Sequence, residues 1–132
     1  MRIVVDTSVL VAVIANEPTK RVLIQATRGA ELLAPASVHW EVGNAFAAML
    51  RRKRAKLLQV RRALEAYANI PIRFVDVGLP TSMELADELK IYAYDAYVLA
   101  CAQEQRAPLL TLDRGLLRAG TKLGIEILEF GK

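Results

Sequence analysis

Histidine and cysteine are nearly absent from this sequence, which has one of each among 132 residues. The lone cysteine, Cys101, cannot form an internal disulfide. The alanine-rich segment around it predicts a buried, inert thiol in a reducing compartment, the cytoplasm. The lone histidine, His39, has no second ligand at helical spacing, so we expect no zinc site and place His39 at the surface or at the edge of the core.

Long apolar runs are also missing. A membrane-spanning helix needs about 20 consecutive apolar residues, and no segment approaches that length. The apolar segment nearest the start, Val9 to Ala15, is preceded by Asp6 and by a single basic residue, Arg2, which is a poor match to a signal peptide. We therefore expect a soluble chain that is not exported and does not bind a membrane.

Acidic residues are absent from one segment, residues 51–62, which carries seven basic side chains. The net charge of the whole chain is only +4, so the positive charge is concentrated in this segment. Two interpretations stay open. The segment is either an ordinary solvated helix face or a surface that contacts phosphate groups.

Elsewhere, short apolar runs rich in Val and Ile alternate with longer segments of helical periodicity. This alternation is typical of a parallel sheet covered by helices, so we predict the α/β class and a single domain over residues 1–132. The predicted strands are Ile3–Val5, Leu32–Ala34, Ile72–Val75 and Leu109–Thr111, with Ile125–Phe130 as a further edge strand.

Two helix starts are predicted from capping residues. Ser37 is the expected N-cap of a helix that runs through Met49, and a basic helix follows a turn near Arg54. Thr81, with Glu84 three residues later, forms a capping-box pattern that opens a helix to about residue 89. Other helices are expected over about residues 8–15, from the NEPTK segment to about 28, and over about 95–105.

Four acidic residues take positions that such a fold brings toward one edge. Asp6 lies within an apolar run and needs a partner if it is buried. Asp6 and Asp113 each follow a predicted strand, and the carboxyl ends of parallel strands form the ligand crevice of open sheets. Glu41 lies about one turn into the helix after the second strand, and Asp95 lies in the turn before the helix that leads to Asp113. Mg²⁺ and Mn²⁺ prefer carboxylate oxygens, so the four residues predict a divalent-cation site.

The segments around these acids resemble the PIN-domain ribonucleases, and more narrowly the VapC toxins of bacterial and archaeal toxin–antitoxin pairs. The resemblance extends over nearly the whole chain, with the motifs in the family's order and at its separations. It implies a PIN-like three-layer α/β/α sandwich with a mostly parallel central sheet of four to five strands. The motifs are DTS after the first strand, PASVHWEVGNAF around Glu41, YDAYVLACA around Asp95 and PLLTLD ending at Asp113.

For chemistry, the resemblance implies a metal-dependent endoribonuclease that hydrolyses RNA phosphodiester bonds and leaves a 5′-phosphate and a 3′-hydroxyl. Its catalytic residues would be Asp6, Glu41, Asp95 and Asp113. Of these, Asp6, Asp95 and Asp113 would bind Mg²⁺, with Mn²⁺ able to substitute, and Glu41 would act as much through a metal-bound water as by direct contact. The resemblance also implies a homodimeric toxin that a cognate antitoxin peptide or protein holds inactive.

Hydroxyl groups beside the acids are candidates for a supporting role. Thr7, Ser8 and Thr111 would orient a carboxylate, a metal-bound water or a phosphate, although helix capping and turn formation explain these residues equally well.

Contacts to RNA are predicted at two places. Residues at the start of the basic segment would contact the RNA backbone, namely Arg51, Arg52, Lys53 and Arg54. Tyr92 and Tyr94, just before Asp95, are surface candidates for stacking on a base, whereas Tyr97 is expected in the core.

Two other functions stay open. A non-catalytic RNA-binding or protein-docking module with a vestigial acidic site would gain little stability from Mg²⁺ or Mn²⁺. A phosphotransfer enzyme that forms an aspartyl phosphate usually has a second Asp two residues after the first, where this chain has Ser8.

Overall fold

The computed structural model describes residues 1–131, and its centre is a sheet of four strands that all run parallel. The strands lie in the order β3-β2-β1-β4. Their bounds are β1 (Arg2–Val5), β2 (Glu31–Pro35), β3 (Ile72–Val75) and β4 (Leu109–Leu110). The predicted α/β class and parallel sheet are therefore confirmed.

Seven helices of the described chain flank this sheet. In chain order they are α1 (Thr7–Ile14), α2 (Lys20–Thr27), α3 (Ser37–Arg51), α4 (Leu57–Ala68), α5 (Leu79–Leu89), α6 (Ala93–Gln105) and α7 (Arg114–Lys122). Within residues 1–131 no helix is both long enough and apolar enough to cross a membrane.

The core is built around β1, because this strand has a neighbour on each side and is covered on both faces. Ile3, Val4 and Val5 are completely buried, as expected for a strand of a parallel sheet between helices. Burial of each such side chain contributes about 1.5–3 kcal/mol to folding. Helix α6 packs against β1 and β2, and α1, which begins directly after β1, packs against α3.

Two predicted helix starts are wrong. Helix α3 begins at Ser37 itself, because Ala36 takes the N-cap position in helical backbone geometry and Ser37 falls inside the first turn. Helix α5 begins at Leu79 with Pro80 next, so the Thr81–Glu84 pattern lies inside the helix and caps nothing. Proline is well suited to the first turn, where no backbone N–H is needed.

The end of the chain also differs from the prediction. The segment 125–130 makes one parallel bridge, between Ile127 and Leu109, and is not a fifth strand. Its partner β4 has only two residues, so a longer ladder has nothing to pair with. The sequence reasoning assigned no structure to residues 114–122, where α7 follows Asp113.

Candidate active site

Asp6 is the most enclosed of the four acids, with 5% of its surface exposed. It is the N-cap of α1, and its Oδ1 accepts hydrogen bonds from Ser8 Oγ at 2.6 Å and, more weakly, from Val9 N at 3.4 Å. Its Oδ2 accepts a bond from Thr111 Oγ1 at 2.8 Å. The expectation that Asp6 is not buried alone is confirmed, and its partners in the chain are hydroxyl groups.

Asp113 occupies the matching position after β4. Its Oδ1 caps α7 by accepting a bond from Leu116 N at 3.1 Å. Its own N–H donates to Thr111 Oγ1 at 3.0 Å, and this is the hydroxyl that donates to Asp6. Thr111 therefore ties the ends of β1 and β4 together and holds both acids in register.

Ser8 makes a second tie that the sequence reasoning did not find. While it donates to Asp6, its Oγ accepts the backbone N–H of Leu112 at 3.0 Å. The two residues are 104 positions apart, and a backbone N–H leaves no mark in the sequence. Only the pairing of β1 with β4 brings them together.

Glu41 comes from α3, and one of its oxygens is an exception to a general rule. Buried polar atoms are almost always hydrogen-bonded, yet Glu41 Oε1 is buried and has no partner within the described chain. Thr7 Oγ1 is likewise buried and has no hydrogen-bond partner within the described chain. The Thr7 hydroxyl is near enough to lower the pKa of Glu41 a little, but the two groups do not meet hydrogen-bond geometry.

The electrostatics show that all four carboxyls share one region. Burial, followed by the charges of Asp95 and Asp6, raises the pKa of Glu41 to about 7. Burial and the nearby Asp113 raise the pKa of Asp95. Burial also raises the pKa of Asp6 against the opposing hydrogen bonds, and Asp113 adds to this effect. Each acid is thus within electrostatic reach of two others, although they come from four separate elements.

A divalent cation suits this donor set. Within residues 1–131, no three acidic, His or Cys side chains already stand close enough to hold an ion together. Without an ion the carboxylates repel one another, and one oxygen each of Asp6 and Asp113 accepts a capping hydrogen bond from its own helix. Even so, carboxylate and hydroxyl oxygens are the ligands of Mg²⁺ and Mn²⁺, and the unpartnered Glu41 Oε1 and Thr7 Oγ1 are acceptors that such an ion, or its waters, would satisfy.

The basic segment lies away from these acids. Arg51, Arg52, Lys53 and Arg54 are exposed at the far end of α3, ten residues beyond Glu41, which corresponds to about 15 Å along a helix axis. They do not line the acidic site, and their contact with RNA stays a prediction.

The predicted exposure of the tyrosines, of the histidine and of the cysteine can be compared with the structure. Tyr92 and Tyr94 are 85% and 56% exposed, which confirms their place at the surface. His39 is exposed too, and its Nδ1 lies 3.0 Å from the Tyr67 hydroxyl. Cys101 is fully buried, as predicted, and burial raises the pKa of its thiol to about 12, which disfavours the reactive thiolate.

Comparison with known proteins gives consistent results. The family model described as PIN domain matches residues 3–122. Ribonuclease VapC9 of Mycobacterium tuberculosis is 32% identical over 121 residues, covering 89% of this chain and 91% of that protein.

Two solved structures share the fold at low sequence identity. VapBC2 from Rickettsia felis, bound to a promoter DNA fragment, gives a TM-score of 0.72 at 15% identity and covers 99% of this chain and 100% of that one. VapC20 of Mycobacterium tuberculosis, a toxin that cleaves the sarcin-ricin loop, gives a TM-score of 0.64 at 19% identity over 89% and 95% of the two chains. The resemblance seen in the acidic motifs is thereby confirmed, and the chain belongs to the PIN-domain family, among its VapC-like members.

Proposed function

We propose that this protein is an endoribonuclease that hydrolyses RNA phosphodiester bonds with Mg²⁺ or Mn²⁺, as the toxin of a toxin–antitoxin pair. Ribonuclease activity is supported by membership of the family and by the name of the relative, VapC9. The observation that carries the metal requirement is the unpartnered, buried oxygen of Glu41 among three other carboxyls.

The proposed ligands are Asp6, Asp95 and Asp113, with Glu41 completing the catalytic set. A bound divalent ion would supply charge neutralisation and an activated water for in-line attack on phosphorus. Thr111 and Ser8 fix the orientation of the Asp6 carboxylate through hydrogen bonds of 2.8 and 2.6 Å. Without an ion, burial and the neighbouring carboxylates raise the pKa of Glu41 to about 7; a bound cation would lower it, so that Glu41 would be an ionised carboxylate able to accept a proton at neutral pH. Thr7 has a free hydroxyl for a water or a phosphate oxygen.

The test is RNA cleavage by Asp95→Asn. Asp95 lies in the first turn of α6 and caps nothing, so the substitution should remove a ligand and leave the fold intact. We expect cleavage of a defined RNA panel to fall by at least about 100-fold in Mg²⁺, as for other groups that stabilise transition-state charge. The matched control is Asp87→Asn, on the exposed surface of α5, which should cut like the parent. A folded, pure Asp95→Asn protein with parental activity would disprove the assignment.

A divalent-ion titration separates an enzyme from a docking module with a vestigial site. An ion that binds only the folded state stabilises it by mass action, by about 2.7 kcal/mol at 100 times its Kd. We expect Mn²⁺ to raise the melting temperature of the parent and of Asp87→Asn, and to have little effect on Asp95→Asn. Equal responses in all three proteins would point to non-specific binding and to the docking module.

The proposed partners are RNA, a cognate antitoxin and a second copy of the chain. The antitoxin is supported by the VapBC structure, which shares this fold. A cluster of carboxyls gives a basic side chain of such a partner a strong contact. The exposed apolar side chains of α3 and α4, including Trp40 and Leu58, support an interface there. Sedimentation of the chain, alone and with the product of an adjacent short gene, would measure both associations.

A further inference from the structure

A small cavity opens where β2 and β3 end, at the same carboxyl edge of the parallel sheet as the acidic site. Its volume is about 220 Å³, below the range of about 300–1,000 Å³ of pockets that take drug-sized ligands. It therefore has room for a single ring system. Its lining is mainly apolar, with one phenol ring, one serine hydroxyl and one carboxylate, contributed by Pro35, Ser37, Val75, Asp76, Leu79 and Tyr97 among others.

Helix α3 connects this cavity to the acids. Ser37 lines the cavity and Glu41 lies one turn further along α3, about 6 Å along the helix axis. Tyr97 also lines the cavity, but Asp95, two residues earlier on α6, points from a different face of that helix, so the link to the acids is the one through α3. A chain molecule with a phosphate at the acids would thus have its neighbouring group at the cavity.

The aromatic side chains lead from solvent to the cavity. Tyr94 is more than half exposed, and its ring meets the Tyr97 ring edge to face, with centroids 6.0 Å apart. Unpaired bases of RNA commonly stack on such exposed or half-exposed rings, and stacking tolerates any base because each has a π face. The apolar walls from Val75 and Leu79 suit the rest of a flat ring.

Two polar groups of the cavity, on Ser37 and Asp76, are available for hydrogen bonds to a ligand. Ser37 Oγ is a buried oxygen without a partner in the described chain, because it falls just inside α3 and caps nothing. Asp76 is exposed, and the hydrogen bonds and ion pairs found among residues 1–131 do not include its carboxylate. A carboxylate accepts hydrogen bonds and donates none, so it favours a base with an exocyclic amino group, such as cytosine with N4, which offers two N–H donors where uracil offers only its N3–H.

We propose that this cavity is a base-binding slot for an unpaired nucleotide next to the scissile phosphate, and that it prefers adenine, cytosine or guanine to uracil. The proposal rests on the proposed ribonuclease function and adds its substrate class: single-stranded RNA with an amino-bearing base beside the cut. Tyr97 supplies the stacking wall, Asp76 accepts from the amino group, and Ser37 offers its hydroxyl.

Equilibrium binding tests the slot without depending on catalysis. Fluorescent octamers of adenosine, cytidine and uridine would be titrated into Asp95→Asn protein in Mg²⁺ buffer. We expect at least one amino-bearing octamer to bind about five-fold or more tightly than the uridine octamer. Adding Asp76→Asn should abolish this difference, whereas adding the control Asp87→Asn should keep it. Equal affinities for the three octamers, or a difference that survives Asp76→Asn, would overturn the proposal.

A second variant tests the stacking wall. Because Tyr97 is half-buried, the fold of Tyr97→Leu would first be checked by thermal melting. A second variant, Leu79→Trp, fills the slot from an exposed position and leaves the core unchanged. Either change should lower the binding affinity for the amino-bearing octamers by about ten-fold, in line with the loss of one stacked base. Unchanged affinity in folded Leu79→Trp would overturn the slot. Parallel cleavage assays of the parent test the ribonuclease function itself, so the two failures are distinguishable.

Discussion

At the scale of single residues, the site depends on hydroxyl groups that each make two contacts. Thr111 donates to Asp6 and accepts from the Asp113 backbone, and Ser8 donates to Asp6 and accepts from Leu112. A buried carboxylate with satisfied acceptors costs far less than an unpaired one. The apolar surroundings of Asp6 are thus compatible with a stable fold even before any ion is considered.

Replacement of Thr111 by valine should expose this dependence. Valine keeps the shape but leaves Asp6 Oδ2 without its donor and the Asp113 N–H without its acceptor, so we expect a loss of about 1–3 kcal/mol in unfolding free energy. Urea unfolding in the presence of a chelator measures it. The control is Thr81→Val on the exposed surface of α5, which should change stability by no more than about 0.5 kcal/mol. Equal small effects would mean that Thr111 holds nothing in place.

The raised pKa of Glu41 makes a prediction about pH. The ordinary value is 4.5 and the folded value is about 7, so between these values the folded state holds a proton that the unfolded state has released. In chelator, the free energy of unfolding should therefore fall as the pH rises from about 5 to 8. Glu41 is only half-buried, so we expect its share to be about 1–2 kcal/mol after solvent screening.

Unfolding of Glu41→Gln at pH 5 and pH 8 checks this expectation. The variant should lose part of the pH dependence, while the remainder comes from Asp6 and Asp95, whose pKa values are also raised. Glu65→Gln, on the exposed side of α4, should keep the parental dependence. If Glu41→Gln keeps it as well, Glu41 is not in the shared acidic region.

At the scale of secondary-structure elements, two of the acids are also helix caps. Asp6 caps α1 and Asp113 caps α7, so each strand–helix junction gains both a stable helix start and an acid at the sheet's carboxyl edge. An acid is stabilised there by the helix dipole. Loss of activity after an alanine substitution would then be ambiguous, since the helix start is weakened too.

Substitutions at Asp113 separate the two roles. Asparagine and serine are good N-caps, so the unfolding free energies of Asp113→Asn and Asp113→Ser should lie within about 0.5 kcal/mol of the parental value. The unfolding free energy of Asp113→Ala should be lower by about 1 kcal/mol. All three should lose Mg²⁺-dependent RNA cleavage, because none keeps the negative charge. Parental cleavage by Asp113→Asn would limit this residue to capping.

The order of the four strands was predictable from sequence, whereas helix starts were less so and α7 was not predicted. The strand Ile72–Val75 was predicted with its observed bounds, since it is a short stretch rich in β-branched and aromatic residues between turn residues. The N-cap expected at Ser37 failed because Ala36, with no capping side chain, adopts helical geometry one residue earlier. The edge strand expected at 125–130 failed because its apolar side chains pack on the core without a ladder, and β4 is too short to supply one.

Part of the site was predictable because the strand order was predictable. Strand order brings residues after β1 and β4 to one edge, so the meeting of Asp6 and Asp113 follows from the α/β pattern. The unpartnered oxygen of Glu41, the second bond of Ser8 and the cavity at Ser37 and Asp76 depend on side-chain and loop geometry across long separations. No local pattern in the sequence reports such contacts.

At the scale of the whole molecule, the four site acids and the basic segment lie at different places along the fold. The acids gather at the carboxyl edge of the sheet, and Arg51 to Arg54 form an exposed basic surface at the other end of α3. An extended RNA strand is long enough to reach both regions, with its scissile phosphate at the acids and its backbone at the basic surface. Such backbone contacts add affinity and salt dependence, and they carry little sequence information.

This arrangement predicts how salt weakens RNA binding. Each phosphate contact on single-stranded nucleic acid contributes about 0.7 to the slope of log affinity against log salt, so the double variant Arg51→Gln/Arg52→Gln should lower the slope by about 1.4. Binding would be measured in an Asp95→Asn background from 50 to about 200 mM salt. The control Arg21→Gln/Arg28→Gln removes the same charge from exposed positions on α2 and at its C-cap.

The control decides between three interpretations of the basic surface. A slope lowered only by the Arg51→Gln/Arg52→Gln pair means direct contact with the RNA backbone. Equal lowering by both pairs means that overall charge attracts RNA without a defined surface. No lowering by either pair means that residues 51–54 are an ordinary solvated turn, and that RNA affinity in this background comes from other parts of the surface.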